Sequence, residues 1–589
     1  MRTRHTATAL LAVAAGAIAL YALDHRQEQV LPSAPAAAAA EAKTKAAASV
    51  GVGPYDWAQW GGSPSRNNTP QAENVPIDWS IGKLDRETGE WSGQRNIKWA
   101  VPLGSQTYGN PTIANGKVYV GTNNGSGYID RYAPTVDLGC LLAFNEEDGK
   151  FLWQHSSEKL PTGRVHDWPL QGICCAPLIE GDRLWFVTSR GEVVCADTEG
   201  FHDGENDGPY AEEKFTGENE ADSIWVLNMM TELGVSQHNM ASCSVTSAGD
   251  LLFVCTANGV DEGHENLPAP SAPSFLALNK HTGELLWADN SPGINVVHGQ
   301  WSSPSYAVLG GVPQVLFGGG DGYVYSFLAE ATADGQAELL WKFDCNPKES
   351  KYSVSGRSTR NHIIGTPLIH DGLVYIAVGE DPEHGEGPGH LWCIDPTKRG
   401  DVSPHLVFNT ADLDTPIAHK RLQAAVPEDG DVVRDNPNSA AVWHYTTYDL
   451  NGDGKIKFDE TMHRSCGTAC IQDGMLFIAD FSGLVHCLDA QTGVPHWTHD
   501  MKAACWASTM IVNGHVYIGD EDGDLSIFKL SADPEVAMKK VTVRKKEVLQ
   551  PAVINMGNAV YTTPVVANNV LYIANRSYLF AIAEGAGAE

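Results

Sequence analysis

Residues 449–460, DLNGDGKIKFDE, concentrate oxygen chemistry in twelve positions. Asp449, Asn451 and Asp453 offer side-chain oxygens at alternate positions, Gly454 allows a sharp turn, and Lys455 offers its backbone carbonyl. The pattern expects Ile456 to face inward, and Glu460 can close the set with both carboxylate oxygens. This is the pattern of a calcium loop, because a hard cation takes several oxygen ligands and needs negative charge to offset its dehydration. Lys457 stands at the ninth position and leaves that place to water. The sequence therefore predicts a calcium site formed by Asp449, Asn451, Asp453, Lys455 and Glu460.

The flanks differ from those of an EF-hand. VWHYTTYD before the loop alternates like a strand, so a single strand-loop-helix site is expected, set in the connection between the fifth and sixth repeat units. A lone site of that kind staples an insertion.

Other residues carry soft or titratable chemistry. Cys174 and Cys175 are adjacent in QGICCAPLI. The loops NGVDEGHENLPAP (258–270) and GEDPEHGEGPGH (379–390) bring Asp261, Glu262, His264, Glu265, Glu380, Asp381, Glu383, His384 and His390. Imidazole and carboxylate are metal ligands, yet no HxxxH or CxxC spacing accompanies them, and the second loop reads equally as a solvated Gly-rich turn. SCGTAC (465–470) has CxxxC spacing with no following His, which excludes a haem attachment site. Arg357 and Arg360 either clamp an anion or neutralise an acidic rim.

A repeat positions these residues. GLVYIAVG (372–379), DGMLFIAD (473–480), NGHVYIGD (513–520) and NNVLYIAN (568–575) are copies of one strand. LNKHTGELLW (278–287), LDAQTGVPHW (488–497) and FNEEDGKFLW (144–153) are copies of the end of the unit. First strands start near Asn110, Ala176, Cys243, Ser303, Thr366, Thr468, Ser508 and Thr563. The expected fold is all-β, an eight-bladed propeller of four-stranded antiparallel blades, since one such sheet cannot bury both faces alone. The last unit lacks a strand, and IKWAVPL (97–103), with Trp99, supplies it and closes the ring. Strand alternation then puts the between-blade loops and the second-to-third strand turns on one face. That face gathers His166, Trp168, Gln171, Cys174, Cys175, His238, Asn239, His298, Gln300, Trp301, Asn361, His362, Cys505, Trp506, Asn555 and Tyr561.

The repeat phrase resembles that of the PQQ-like, or quinoprotein-type, eight-bladed propellers over residues 57–589, and among them the exported bacterial repeat proteins related to BamB. Quinoprotein alcohol dehydrogenases hold a disulfide between adjacent cysteines against their quinone. The resemblance thus implies PQQ beside Cys174 and Cys175, with Trp301 or Trp506 as the stacking ring. The match is partial. The cysteines run straight into the first strand, and no motif supplies the Asp base or the Glu and Asn that hold the quinone's calcium. Two buried or separately paired cysteines are the alternative.

Composition bounds the rest. With 42% apolar and 19% charged residues the chain is globular, and a net charge of -32 excludes nucleic acid as a partner. Residues 1–30 read as a signal peptide or N-terminal membrane anchor: Arg2 and Arg4 precede an uncharged stretch over 6–23. With no cysteine before Cys140, lipid attachment near the N-terminus is excluded. An Ala/Pro-rich linker covers 31–55, and the propeller covers 56–589 with an insertion at about 411–464. The expected location is periplasmic, in the cell envelope, or membrane-anchored facing outward, where twelve cysteines permit disulfides. Two functions follow. One is a non-enzymatic scaffold that binds a protein or envelope component on the loop-rich face and carries one structural calcium. The other is a PQQ- and calcium-dependent alcohol or sugar dehydrogenase.

Overall fold

Short apolar runs separated by Asn, Asp or Gly fold as tight meanders. At Asn115-Gly116, Asp371-Gly372, Asp473-Gly474 and Asn513-Gly514 both residues have positive φ, from 47° to 77°. Such pairs match the twist of hairpin strands and are best tolerated by Asn, Asp and Gly. They join the first and second strands of four blades. The computed structural model describes residues 52–346, 350, 361–380, 387–418 and 420–587. The targeting segment, the linker as far as residue 51, and Arg357, Arg360, Asp381, Glu383 and His384 lie outside the described residues.

Eight four-stranded antiparallel blades form the ring. The first contains Thr112–Ala114, Lys117–Asn123, Leu138–Asn145 and Phe151–Glu158. The eighth contains Val565–Ala567, Val570–Ala574 and Tyr578–Ile582, and its outer strand is Ile97–Pro102 from the other end of the chain. The expected closure is present, with Trp99 opposite Ala581 and Ile97 opposite Ile582. Buried Val, Ile, Leu and Phe of facing blades make the core, in clusters that each span neighbouring sheets.

The TGxxxW phrase acts between repeats. A Cβ on Gly149, Gly283 or Gly493 would meet the ring of Trp99, Trp225 or Trp443 at 2.8, 2.7 and 2.5 Å, and each of these Trp residues belongs to the preceding blade. The Trp residues also donate across the blade boundary: Trp153 Nε1 to Thr198 O (3.1 Å), Trp225 to Lys280 O (3.0 Å), Trp287 to Ala329 O (2.9 Å) and Trp497 to Ser531 O (3.0 Å). Each indole thus buries an apolar body and satisfies its N–H on the next unit.

Residue 55 is expected to end the linker and residues 56–68 only to begin the propeller domain. They thread one end of the central channel and bond to every blade in turn. Tyr55 O accepts from Asn568, Trp57 pairs with Ile113, Ala58 O accepts from Ile179, and Gln59 Oε1 accepts from Thr246. Pro64 O, Ser65 O, Asn67 and Asn68 continue the circuit to Tyr306, Ile369, Ile471 and Ile511. Arg66 sits fully buried on this path.

The insertion divides in two. Its expected span includes Ala441–Tyr445, which is the outer strand of the fifth blade, paired with His390–Ile394. Before that strand, His405–Asn409 and Asp431–Asp435 pair as a separate hairpin. After it, residues 446–469 lead to the sixth blade and contain the loop 449–460. Lys539, Lys540, Arg544, Lys545 and Lys546 lie together on the exposed hairpin Lys539–Val543 and Lys546–Gln550.

Candidate functional site

All eight between-blade connections converge on one axial pocket of about 360 Å³. Its floor is a ring of small polar side chains at the same position of successive repeats. Thr563 N donates to Asn110 Oδ1 (2.7 Å), Ser508 N to Thr563 Oγ1 (2.9 Å), Thr468 N to Ser508 Oγ (2.8 Å) and Thr366 N to Thr468 Oγ1 (2.9 Å). Ser244 and Ser303 continue it at 2.9 Å. The side chains thus replace backbone pairing between blades and leave hydroxyls facing the axis. The walls are aromatic, from Tyr108, Trp168, Trp301, Trp506 and Tyr561, with Tyr108 and Tyr561 stacked at 4.8 Å. Trp60, from the segment closing the other end, donates to Thr366 Oγ1.

Trp301, Trp506 and Cys174 all line this pocket. Trp301 Nε1 is anchored on Met240 O (3.2 Å), and Trp506 donates its indole N–H to Glu521. Cys175 is turned away. Its buried thiol lies 3.2 Å from Val187 O inside the second blade, while Cys174 Sγ lies 3.5 Å from Met240 Sδ. No disulfide joins the two. Burial pushes both thiols up to about 12, which keeps them protonated and weakly nucleophilic at neutral pH.

Sequence reasoning placed His238, His264 and His298 on this face without joining them, and the structure brings their ring nitrogens together. All three ligand atoms lie within 4.8 Å of one another. His264 Nε2 is 3.0 Å from His238 Nε2 and 3.1 Å from His298 Nε2. His238 and His298 each stand just before a first strand, in consecutive repeats, and His264 descends from the long turn of the third blade. A signal existed in the sequence: the same residue type recurs five positions before Cys243 and before Ser303. The close approach requires glycine. A Cβ on Gly259 would meet His298 O at 2.5 Å and His238 Cβ at 2.6 Å. Trp301 packs against His298, with ring centroids 5.0 Å apart, and His298 itself lines the pocket.

In the loop 449–460, Asp449 accepts from Asp453 N (3.1 Å) and Gly454 N (2.7 Å), and Asp453 accepts from Lys455 N (2.9 Å). The buried Glu460 carboxylate accepts from Leu450 N, Asn451 N and Lys457 N at 3.1 to 3.3 Å. Thr447 and Thr461 bridge across the base of the loop. The expected strand precedes the loop, whereas a single 3₁₀ turn, Phe458–Glu460, stands in place of the helix.

Comparison with known proteins bears on the fold. The sequence pattern of the family described as Outer membrane protein assembly factor BamB matches residues 428–537. No curated protein matches the sequence. The quinohemoprotein alcohol dehydrogenase of Comamonas testosteroni superposes with a TM-score of 0.50 at 9% identity, covering 91% of this chain and 81% of its own. The fold is that of the PQQ-like propellers. BamB of Moraxella catarrhalis aligns over 84% of this chain and 98% of its own, with 14% identity and a TM-score of 0.44. At these identities the likeness concerns the scaffold. The side chains test the quinone reading separately. Among the described residues lining the axial pocket there is no Asp or Glu, so the oxygens that would hold a quinone's calcium are not gathered there. The two cysteines point in different directions. The described lining therefore does not fit the arrangement that the resemblance implies.

Proposed function

We propose that this protein is an exported, non-enzymatic propeller of the cell envelope that binds an uncharged component in its axial pocket, with calcium in the loop 449–460 as a structural staple. One observation carries the reading: the pocket joins aromatic walls to a hydroxyl and amide floor, and none of its described lining residues is Asp, Glu, Lys or Arg. Such a lining offers stacking faces and neutral hydrogen bonds, which suit a ligand with an apolar face and polar edges. Export rests on residues 1–30.

Tryptophan fluorescence tests it. Titration of the purified protein with neutral envelope glycans and uncharged peptides should quench or shift the emission saturably, and Trp506→Ala should remove most of that response. Dye-linked alcohol oxidation by the protein supplied with PQQ and calcium would overturn the reading in favour of the dehydrogenase.

A further inference from the structure

The contacts among His238, His264 and His298 cannot all be well-directed hydrogen bonds. An imidazole nitrogen carries either one proton or one lone pair in the ring plane, so it makes one linear hydrogen bond to a neighbouring ring nitrogen and can only share it, weakened, with a second. His264 Nε2 nevertheless faces Nε2 of both His238 (3.0 Å) and His298 (3.1 Å). A cation among three nitrogen lone pairs resolves that conflict.

The tautomer and the packing agree. His238 Nδ1 lies 2.7 Å from Val260 O, and a carbonyl only accepts, so Nδ1 carries the proton and Nε2 presents its lone pair to the cluster. A ligating His characteristically donates its other N–H to such a carbonyl. The three rings are tilted by 53°, 54° and 82° to one another, so they meet by their edges rather than stacking. Nitrogens held about 2.0–2.1 Å from a tetrahedral zinc stand roughly 3.3 Å apart, close to the two separations at His264, and the third pair lies within 4.8 Å.

We propose that His238, His264 and His298 bind one divalent transition-metal ion through Nε2, leaving a coordination position turned toward the axial pocket. Imidazole donors select zinc, copper, nickel or iron over calcium and magnesium. Among the described residues three side chains supply ligands, as in zinc sites that keep a fourth position for water or an incoming donor atom. The opening is assigned to the pocket because His298 lines it beside Trp301. This site goes beyond the neutral-ligand reading and does not depend on it.

The full-length protein, stripped with a chelator, would be titrated with zinc chloride by calorimetry. One equivalent is expected to bind. His264→Ala should weaken it roughly 100-fold or more, since loss of an outer-shell partner alone costs about 10–100-fold. His281→Ala, on an exposed turn of the same blade, should leave it unchanged. Far-UV circular dichroism and metal-free melting verify that His264→Ala is folded, and His298→Gln provides a second variant. Zinc binding that is absent, or equal in the wild type and both variants, overturns the site. Cobalt(II) in place of zinc should give visible d–d bands that shift on adding azide. Bands that ignore azide would mean a closed site and overturn the open position. Neutral-ligand quenching that persists in His264→Ala while zinc binding is lost separates this inference from the previous one.

Discussion

Asp480 shows how one buried carboxylate is kept charged. Its Oδ2 lies 2.9 Å from His463 N, 3.2 Å from His463 Nδ1 and 3.0 Å from His486 Nε2, while Oδ1 accepts from Leu484 N. Burial pushes its pKa up, but the hydrogen bonds from His463 and His486 outweigh that and hold it at about 2, below the ordinary 3.8. A folded-state value below the unfolded one stabilises the fold above about pH 4, and that contribution fades as pH falls toward 2. Asp480→Asn should therefore be less stable than the wild type by about 2 kcal/mol at pH 7. In urea titrations the gap should narrow between pH 4 and pH 2, and a constant gap would show that Asp480 acts only through packing. Arg66 is the second decisive residue. Its guanidinium donates to Pro304 O, Trp60 O, Ser244 O and Val245 O at 2.7 to 3.1 Å. Arg66→Ala leaves four carbonyls without these donors and opens a cavity, so a loss of about 3–5 kcal/mol in urea unfolding is expected.

Among the elements, the loop 449–460 is held by its own backbone before any ion is considered. Side chains of Asp449, Asn451 and Asp453 accept main-chain N–H groups within the loop, and Lys457 reaches Asp453. To bind as proposed, calcium would have to displace Lys457 and draw these oxygens inward. Binding only to the folded state at a hundredfold excess over Kd adds about 2.7 kcal/mol. Calcium should accordingly raise the melting temperature of the wild type but not of Asp453→Ala, and identical calcium responses in the two would remove the loop from consideration as the site. The tight turn was legible because its Asp, Asn and Gly positions bond locally to the loop's own backbone. The substitution of a short 3₁₀ turn for a helix was not, since that depends on how the chain must re-enter the sixth blade.

At the scale of the whole molecule, the ring is closed twice by the N-terminal part of the propeller. Ile97–Pro102 completes the eighth blade, and residues 55–68 bond to all eight blades. A chain starting after residue 103 loses both and exposes Tyr578–Ile582 as an unpaired edge, a template for aggregation. Size-exclusion chromatography should show the trimmed chain as aggregate. A well-folded species at the elution volume expected for the shortened ring would show that closure by these segments is dispensable.

The blade count and the inter-blade role of TGxxxW were legible because they are periodic: strand alternation, turn chemistry and a repeated Trp recur in each unit. The closing strand pairs with the far end of the chain, and it was legible because the last repeat is one strand short. The segment 55–68 was not legible, because its partners lie up to about 500 residues away and its backbone and side-chain bonds follow no repeat. The same reason hid the His238, His264 and His298 cluster. Each histidine is unremarkable in its own loop, and only the curvature of the ring, with Gly259 permitting close approach, brings their nitrogens within bonding range of one ion. Cys174 and Cys175 show the converse: neighbours in the chain have different surroundings, because the backbone bends at Cys175 before the strand Leu178–Glu180 begins, and their thiols face Met240 and Val187.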